Sequence, residues 1–149
     1  MTMVIQRKEY MNKLIAFKDK QLIKVITGIR RCGKSTLLEI YQNWLLEHGT
    51  EKAQIISINF EDIDFEELTD YRRLYSYLKE RLVPGKVTYI FLDEIQHVED
   101  FPKVVDSLYI KKNVDIYITG SNAYMLSSEI ATLISGRYVQ IEMLPLSFK

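Results

Sequence analysis

Residues 28 to 35 read Gly-Ile-Arg-Arg-Cys-Gly-Lys-Ser, the spacing G-x-x-x-x-G-K-[ST] with which a loop turns its main-chain N–H groups inward around an anion. Gly28 and Gly33 let the backbone fold tightly, Lys34 adds a mobile positive charge for β- and γ-phosphate oxygens, and Ser35 offers a hydroxyl to Mg²⁺. Ile29, Arg30, Arg31, Cys32 and Thr36 complete the loop and the first turn after it. Residues 28–36 are therefore the expected triphosphate cradle, and the helix that opens here aims its positive dipole end at the anion.

A second group of residues supplies the rest of the chemistry. Tyr89-Ile90-Phe91-Leu92-Asp93-Glu94 sets four bulky apolar residues before two acids, a Walker B pattern. At the carboxyl end of a buried parallel strand Asp93 lies beside Ser35 and holds the Mg²⁺ shell, while Glu94 polarises an attacking water. Alone, such a pair reads as the start of a solvated loop or a helix cap; its partnership with residues 28–35 favours nucleotide chemistry. Ser121 or Asn122, in Thr119-Gly120-Ser121-Asn122, senses the γ-phosphate or caps the next helix. Arg137, after Ser135-Gly136, either favours a helix carboxyl terminus or acts as an arginine finger on a neighbouring copy. Glu61, after Phe60, is the reserve base, although the acidic run to Glu67 reads more simply as a solvated loop entering a helix. Cys32 sits where a helix terminus, Lys34, Arg30 and Arg31 all favour a thiolate, so it is expected to be reactive if its sulfur is exposed, and shielded by Mg-ATP.

These residues need a scaffold that brings distant strand ends together. Leu22-Ile23-Lys24-Val25-Ile26-Thr27 is apolar and β-branched enough for an inner strand. Leu37, Leu38, Tyr41, Trp44 and Leu45 then recur at helical spacing until His48-Gly49. Further strands are expected over 54–60, 87–92, 114–119 and 138–143, and helices over 66–82, 99–112 and 123–135, with Pro84-Gly85 turning into the third strand. Regular alternation of this kind implies an α/β fold, a parallel sheet with crossover helices on both faces.

Composition narrows the class. The 149 residues, 47% hydrophobic, form one domain spanning 1–149 with enough apolar surface for a real core. Twenty basic and twenty acidic side chains cancel, so no global field points to nucleic acid or an anionic membrane. The single cysteine forms no internal disulfide, Arg7, Lys8 and Glu9 interrupt any secretory core, and no apolar run approaches a membrane span. A cytoplasmic protein without membrane attachment is expected.

Taken together, Gly-Ile-Arg-Arg-Cys-Gly-Lys-Ser-Thr-Leu-Leu, Phe-Leu-Asp-Glu-Ile-Gln, Ile-Thr-Gly-Ser-Asn, Ser-Gly-Arg-Tyr-Val and Leu-Pro-Leu-Ser-Phe-Lys resemble the prokaryotic AAA-type ATPases of the AAA+ superfamily, from about Arg7 to Lys149. The resemblance implies the P-loop NTPase three-layer sandwich, an ASCE-type parallel sheet of five strands in the order 5-1-4-3-2. Lys34, Ser35, Asp93, Glu94, Ser121 or Asn122, and Arg137 fall on the matching positions. It further implies that Tyr10 to Phe17 pack near the base side of the nucleotide. Similar proteins continue past the Pro-Leu-Ser-Phe segment into a lid and a carboxy-terminal nuclease-like domain, so the chain is expected to be an amino-terminal ATPase core.

The expected activity is Mg²⁺-dependent ATP hydrolysis, with ATP and Mg²⁺ as ligands and a homo-oligomer formed through Arg137. A nucleic-acid or protein partner is left open through the missing carboxy-terminal region, and the charge balance leaves room for a local basic patch. The alternatives are a nucleotide-dependent switch with negligible hydrolysis and a small-molecule P-loop kinase, which needs an acceptor pocket and a lid. A GTPase is disfavoured, because no Asn-Lys-x-Asp element follows the fourth strand.

Overall fold

The apolar runs become strands whose burial matches their composition. In a computed structural model, which describes residues 2–29, 32–121 and 137–144, β1 (Ile23–Thr27) and β3 (Thr88–Asp93) are buried at every position. β4 (Val114–Gly120) is buried at all but its first residue. Strands covered on both faces require such continuous apolar runs. β2 (Ile55–Asn59) and β5 (Tyr138–Glu142) mix buried and exposed positions, as edge strands do. The five strands pair in parallel in the order β2-β3-β4-β1-β5. Read from the other edge this is 5-1-4-3-2, the expected order.

Side-chain alternation along the strands divides the core in two. On one face Ile23, Val25, Ile90, Leu92, Ile116 and Ile118 pack against Leu74 and Leu78 of α3 (Tyr71–Glu80) and Val104, Val105 and Leu108 of α4 (Phe101–Tyr109). On the other, Ile26, Phe91, Tyr117 and Ile141 meet α2 (Lys34–Glu47) through Leu37, Leu38, Tyr41 and Leu45. α1 (Thr2–Ala16) joins that second face through Tyr10 and Leu14. Helices thus cover both faces, giving the three-layer α/β sandwich.

Local chemistry moves several boundaries. The helix expected over 66–82 divides into a 3₁₀ helix, Ile63–Thr69, and α3, because the Asp70 carboxylate accepts from the Arg72 N–H at 3.1 Å and starts a new helix. The helix expected over 99–112 is shorter, since Asp100 turns at φ 60 and Pro102 sits in the first turn. α1 carried no clear periodic signal. The helix expected over 123–135 lies outside the described residues.

A buried polar network anchors the amino edge of the sheet on the α1 and α2 face. Lys24, wholly buried on β1, pairs with Asp115 of β4 and donates to the Lys20 carbonyl at 2.8 Å. Asp115 also accepts from the Asp19 N–H and the Tyr117 hydroxyl, both at 2.9 Å, and the Tyr117 hydroxyl meets that of Tyr41 at 2.6 Å. A paired, fully hydrogen-bonded charge is tolerated in a core where an isolated one is not. The network fixes the loop between α1 and β1, hence the strand that carries the phosphate loop at its other end.

Candidate functional site

Parallel pairing sets the geometry. Thr27 lies level with Gly120, and Leu92 with Ile118, so the residues that follow β1, β3 and β4 emerge at one carboxyl edge. That edge is where open α/β sheets place their ligands.

Asp93 is held there from two sides. Its Oδ2 accepts from the Ser35 hydroxyl and its Oδ1 from the Thr119 hydroxyl, each at 2.5 Å. The same Thr119 oxygen accepts from the Glu94 N–H at 2.8 Å. One buried hydroxyl therefore fixes both acids. Glu94 turns through the left-handed region, φ 59 and ψ 51, a conformation costing about 1–2 kcal/mol for a residue with a side chain. The turn folds its carboxylate back over the sheet edge. There the Ser121 hydroxyl lies 2.7 and 2.8 Å from its two oxygens, Gln96 Nε2 donates to Oε1 at 2.7 Å, and Lys34 Nζ stands 3.6 Å from Oε2.

Burial pushes the Glu94 pKa upward, but the hydrogen bonds from Ser121 and Gln96 and the nearby Lys34 charge outweigh it, leaving the carboxyl below its ordinary value and ionised at neutral pH. Lys34, only 3% exposed, donates to the Gly28 carbonyl at 2.9 Å and the Ile29 carbonyl at 3.1 Å, with Ser121 Oγ at 3.4 Å. Its ammonium is thus held by weak, neutral acceptors plus one carboxylate, an arrangement that a multiply charged oxyanion displaces readily.

The two loop glycines meet different demands. A methyl group on Gly28 would sit 2.5 Å from Cys32 Sγ and 3.0 Å from the Met143 carbonyl oxygen, so close approach excludes a side chain. Gly33 caps α2 at φ 102, where other residues are strained. Met143 donates its N–H to the Thr27 carbonyl at 2.7 Å, and Leu144 donates to the Tyr10 hydroxyl at 3.0 Å, so the chain leaving β5 lies against the loop. Ile29 and Leu144 remain 57% and 55% exposed.

Lys34, Ser35, Asp93, Glu94 and Ser121 therefore lie together, with Gly28, Ile29, Cys32, Gly33 and the exposed Thr36 in the loop and first helical turn. Arg30, Arg31 and Asn122 lie outside the described residues. Glu61 is exposed beyond β2, whose Asn59 is level with Asp93. Arg137 occupies the opposite edge of the sheet: its carbonyl accepts from the Ile23 N–H at 3.0 Å, and its guanidinium lies 5.4 Å from the Tyr109 ring centre. The length of β1, about 13 Å at 3.3 Å per residue, separates its backbone from its own phosphate loop.

One expectation changes. Cys32 is 3% exposed and packed beneath Gly28, so the condition set for thiol reactivity is not met in this conformation. Three contributors escaped the sequence reading. Thr119 is the last residue but one of β4, within a motif already noted, and its polarity near a buried strand end was the available signal. Gln96 closes the quoted Phe-Leu-Asp-Glu-Ile-Gln run and Met143 the fifth expected strand, but neither position disclosed its contacts, which depend on the turn at Glu94 and on the path after β5.

A profile described as "AAA domain" matches residues 20–149. An uncharacterized protein of Haemophilus influenzae is 44% identical over 147 residues, covering 98% of this chain and 37% of its own length. One from Methanocaldococcus jannaschii is 37% identical over 132 residues, covering 85% and 27%. The chain thus spans about a third of the length of these relatives. Among solved structures, a chain from Drosophila ORC bound to DNA superposes with a TM-score of 0.61 at 11% identity, covering 96% of this chain and 93% of that one. The Walker-type ATPase of Pyrococcus abyssi superposes at 0.59 with 20% identity, covering 95% and 54%. AMPPCP-bound DnaA from Aquifex aeolicus gives 0.56 at 15% identity, covering 91% and 44%. At these identities the structural likenesses show the shared fold. Among the described residues, no helix is long and apolar enough to cross a membrane.

Proposed function

Because this chain belongs to the AAA domain family, whose fold it shares with nucleotide-binding ATPases, we propose that it binds ATP with Mg²⁺ and hydrolyses the γ-phosphate bond. One observation carries the reading: Ser35 and Asp93 meet 2.5 Å apart while Glu94 and Lys34 stand beside them at the same sheet edge. A hydroxyl and a carboxylate converging on one point form the hard-oxygen donor set that Mg²⁺ favours, so these residues fit the ion. When bound, Mg²⁺ neutralises charge on the β- and γ-phosphate oxygens.

The protein's own residues do the rest. Lys34 exchanges the Gly28 and Ile29 carbonyls for phosphate oxygens, and the loop N–H groups surround the anion. Ile29 and Leu144, apolar and exposed next to the loop, offer a surface to the base, in keeping with the base-side role implied for the segment from Tyr10. Glu94 takes a proton from water as its oxygen bonds to the γ-phosphorus, the bond to the β–γ bridging oxygen breaks, and ADP leaves. Ser121 orients the carboxylate and, with Asn122, meets the γ-phosphate. In a homo-oligomer Arg137 serves the site of a neighbouring copy and stabilises transition-state charge there.

A switch with negligible hydrolysis draws on a different observation, that both Glu94 oxygens already accept hydrogen bonds. A kinase would need an acceptor. Phosphate release from Mg-ATP without any acceptor separates the three: sustained turnover supports hydrolysis, tight binding without turnover supports the switch, and turnover only on adding an acceptor supports the kinase. The cytoplasmic location is part of this proposal, as are nucleic-acid or protein partners. The lid and nuclease-like domain rest on the resemblance alone.

A further inference from the structure

We infer that Gln96 is a positioning residue for Glu94, kept polar at a cost to the fold so that its amide aims the carboxylate. The inference rests on the assignment of Glu94 as the residue that activates water. Gln96 lies in a short 3₁₀ helix, Ile95–His97, whose neighbours Ile95 and Val98 are 0% and 1% exposed. Two core anchors thus hold the turn, and the left-handed Glu94 at its start brings the two side chains together. Gln96 Nε2 donates to Glu94 Oε1 at 2.7 Å.

The other end of the same amide is the informative one. A carboxylate only accepts, so the NH₂ group must face Glu94, and Oε1 must point away. There Oε1 is buried without a hydrogen-bond partner, the one such side-chain atom among the described residues. Buried polar groups are almost always paired, and leaving one unpaired opposes folding. Methionine fills similar space with no such penalty. A glutamine in this place is therefore explained by its bond to Glu94 and not by packing.

Its importance grows on binding. Ser121 has a single proton to share between the two Glu94 oxygens, and Lys34 is drawn toward phosphate by its charge. Gln96 then remains the donor fixed by rigid backbone. Orientation of a reacting group within tenths of an ångström is what such supporting contacts secure.

Gln96→Met tests this in the full chain. Expected are a kcat about 10–100-fold lower, the range for groups that orient a reacting ligand, ATP affinity within about threefold, and a Tm equal to or above that of the parent. In the Glu94→Gln background the substitution should lower turnover no further, since it acts through the carboxylate. The nucleotide-free crystal structure of Gln96→Met should show the Glu94 side chain displaced. A lower Tm with Glu94 unmoved would make Gln96 a packing residue and overturn the inference, as would a kcat equal to that of an active parent. If the parent chain proves inert while Gln96→Met still displaces Glu94 without loss of Tm, hydrolysis is refuted and the positioning role stands.

Discussion

Replacing Thr119 by valine removes a hydroxyl and little else, and the structure sets the size of the effect. That oxygen donates to Asp93 Oδ1 at 2.5 Å and accepts from the Glu94 N–H at 2.8 Å, in a side chain with no exposed surface. Water cannot take its place. The lost bond to a carboxylate is worth about 1.5–3 kcal/mol, and the stranded N–H costs about 1–3 kcal/mol. The two share one group and add incompletely, so roughly 2–5 kcal/mol is expected in all. For a domain of this size each kcal/mol moves Tm by about 2–4 °C. Thr119→Ser keeps the hydroxyl and gives up one buried methyl, costing about 1 kcal/mol. Urea titrations of the parent and both variants, with m held constant, give the comparison. If Thr119→Val is as stable as Thr119→Ser, the hydroxyl does not fix the two acids and the description of the site is wrong.

Lys34→Ala should abolish measurable ATP binding by calorimetry while the circular-dichroism spectrum of the parent is retained, because the side chain contacts loop carbonyls and Glu94 rather than the apolar core; equal affinity in both proteins would remove Lys34 from the phosphate site. Specific ATPase activity should rise with protein concentration and lose about 10³–10⁵-fold in Arg137→Ala at high concentration. Activity independent of both dilution and Arg137 would leave that residue with only its contact to Tyr109.

How much of this was legible beforehand follows from which forces act locally. The phosphate loop, the buried strands and the order of elements depend on glycine conformations, apolar runs and alternation, all short-range. Lys34, Ser35, Asp93 and Glu94 accordingly fall where their motifs put them. The break at Asp70 is also a local matter, since a capping carboxylate competes with helical periodicity inside a stretch that reads as one helix. What stayed hidden depends on register. Thr119 reaches Asp93 only because β3 and β4 pair with Leu92 level with Ile118, and the buried pair of Lys24 with Asp115 joins residues 91 positions apart. Arg137 depends on register in the same way: the sequence left its position relative to the loop open, and parallel pairing of β5 with β1 puts it at the far edge of the sheet.

On the proposed function Glu94, and no other carboxylate, activates the water. Single-turnover and steady-state phosphate release by Glu94→Gln and Glu61→Gln, each paired with ATP affinity by calorimetry, address it directly. Glu94→Gln is expected to bind Mg-ATP as the parent does and to hydrolyse it about 10²–10⁴-fold more slowly, while Glu61→Gln retains parental turnover. Normal hydrolysis by Glu94→Gln together with loss of activity in Glu61→Gln would contradict that role.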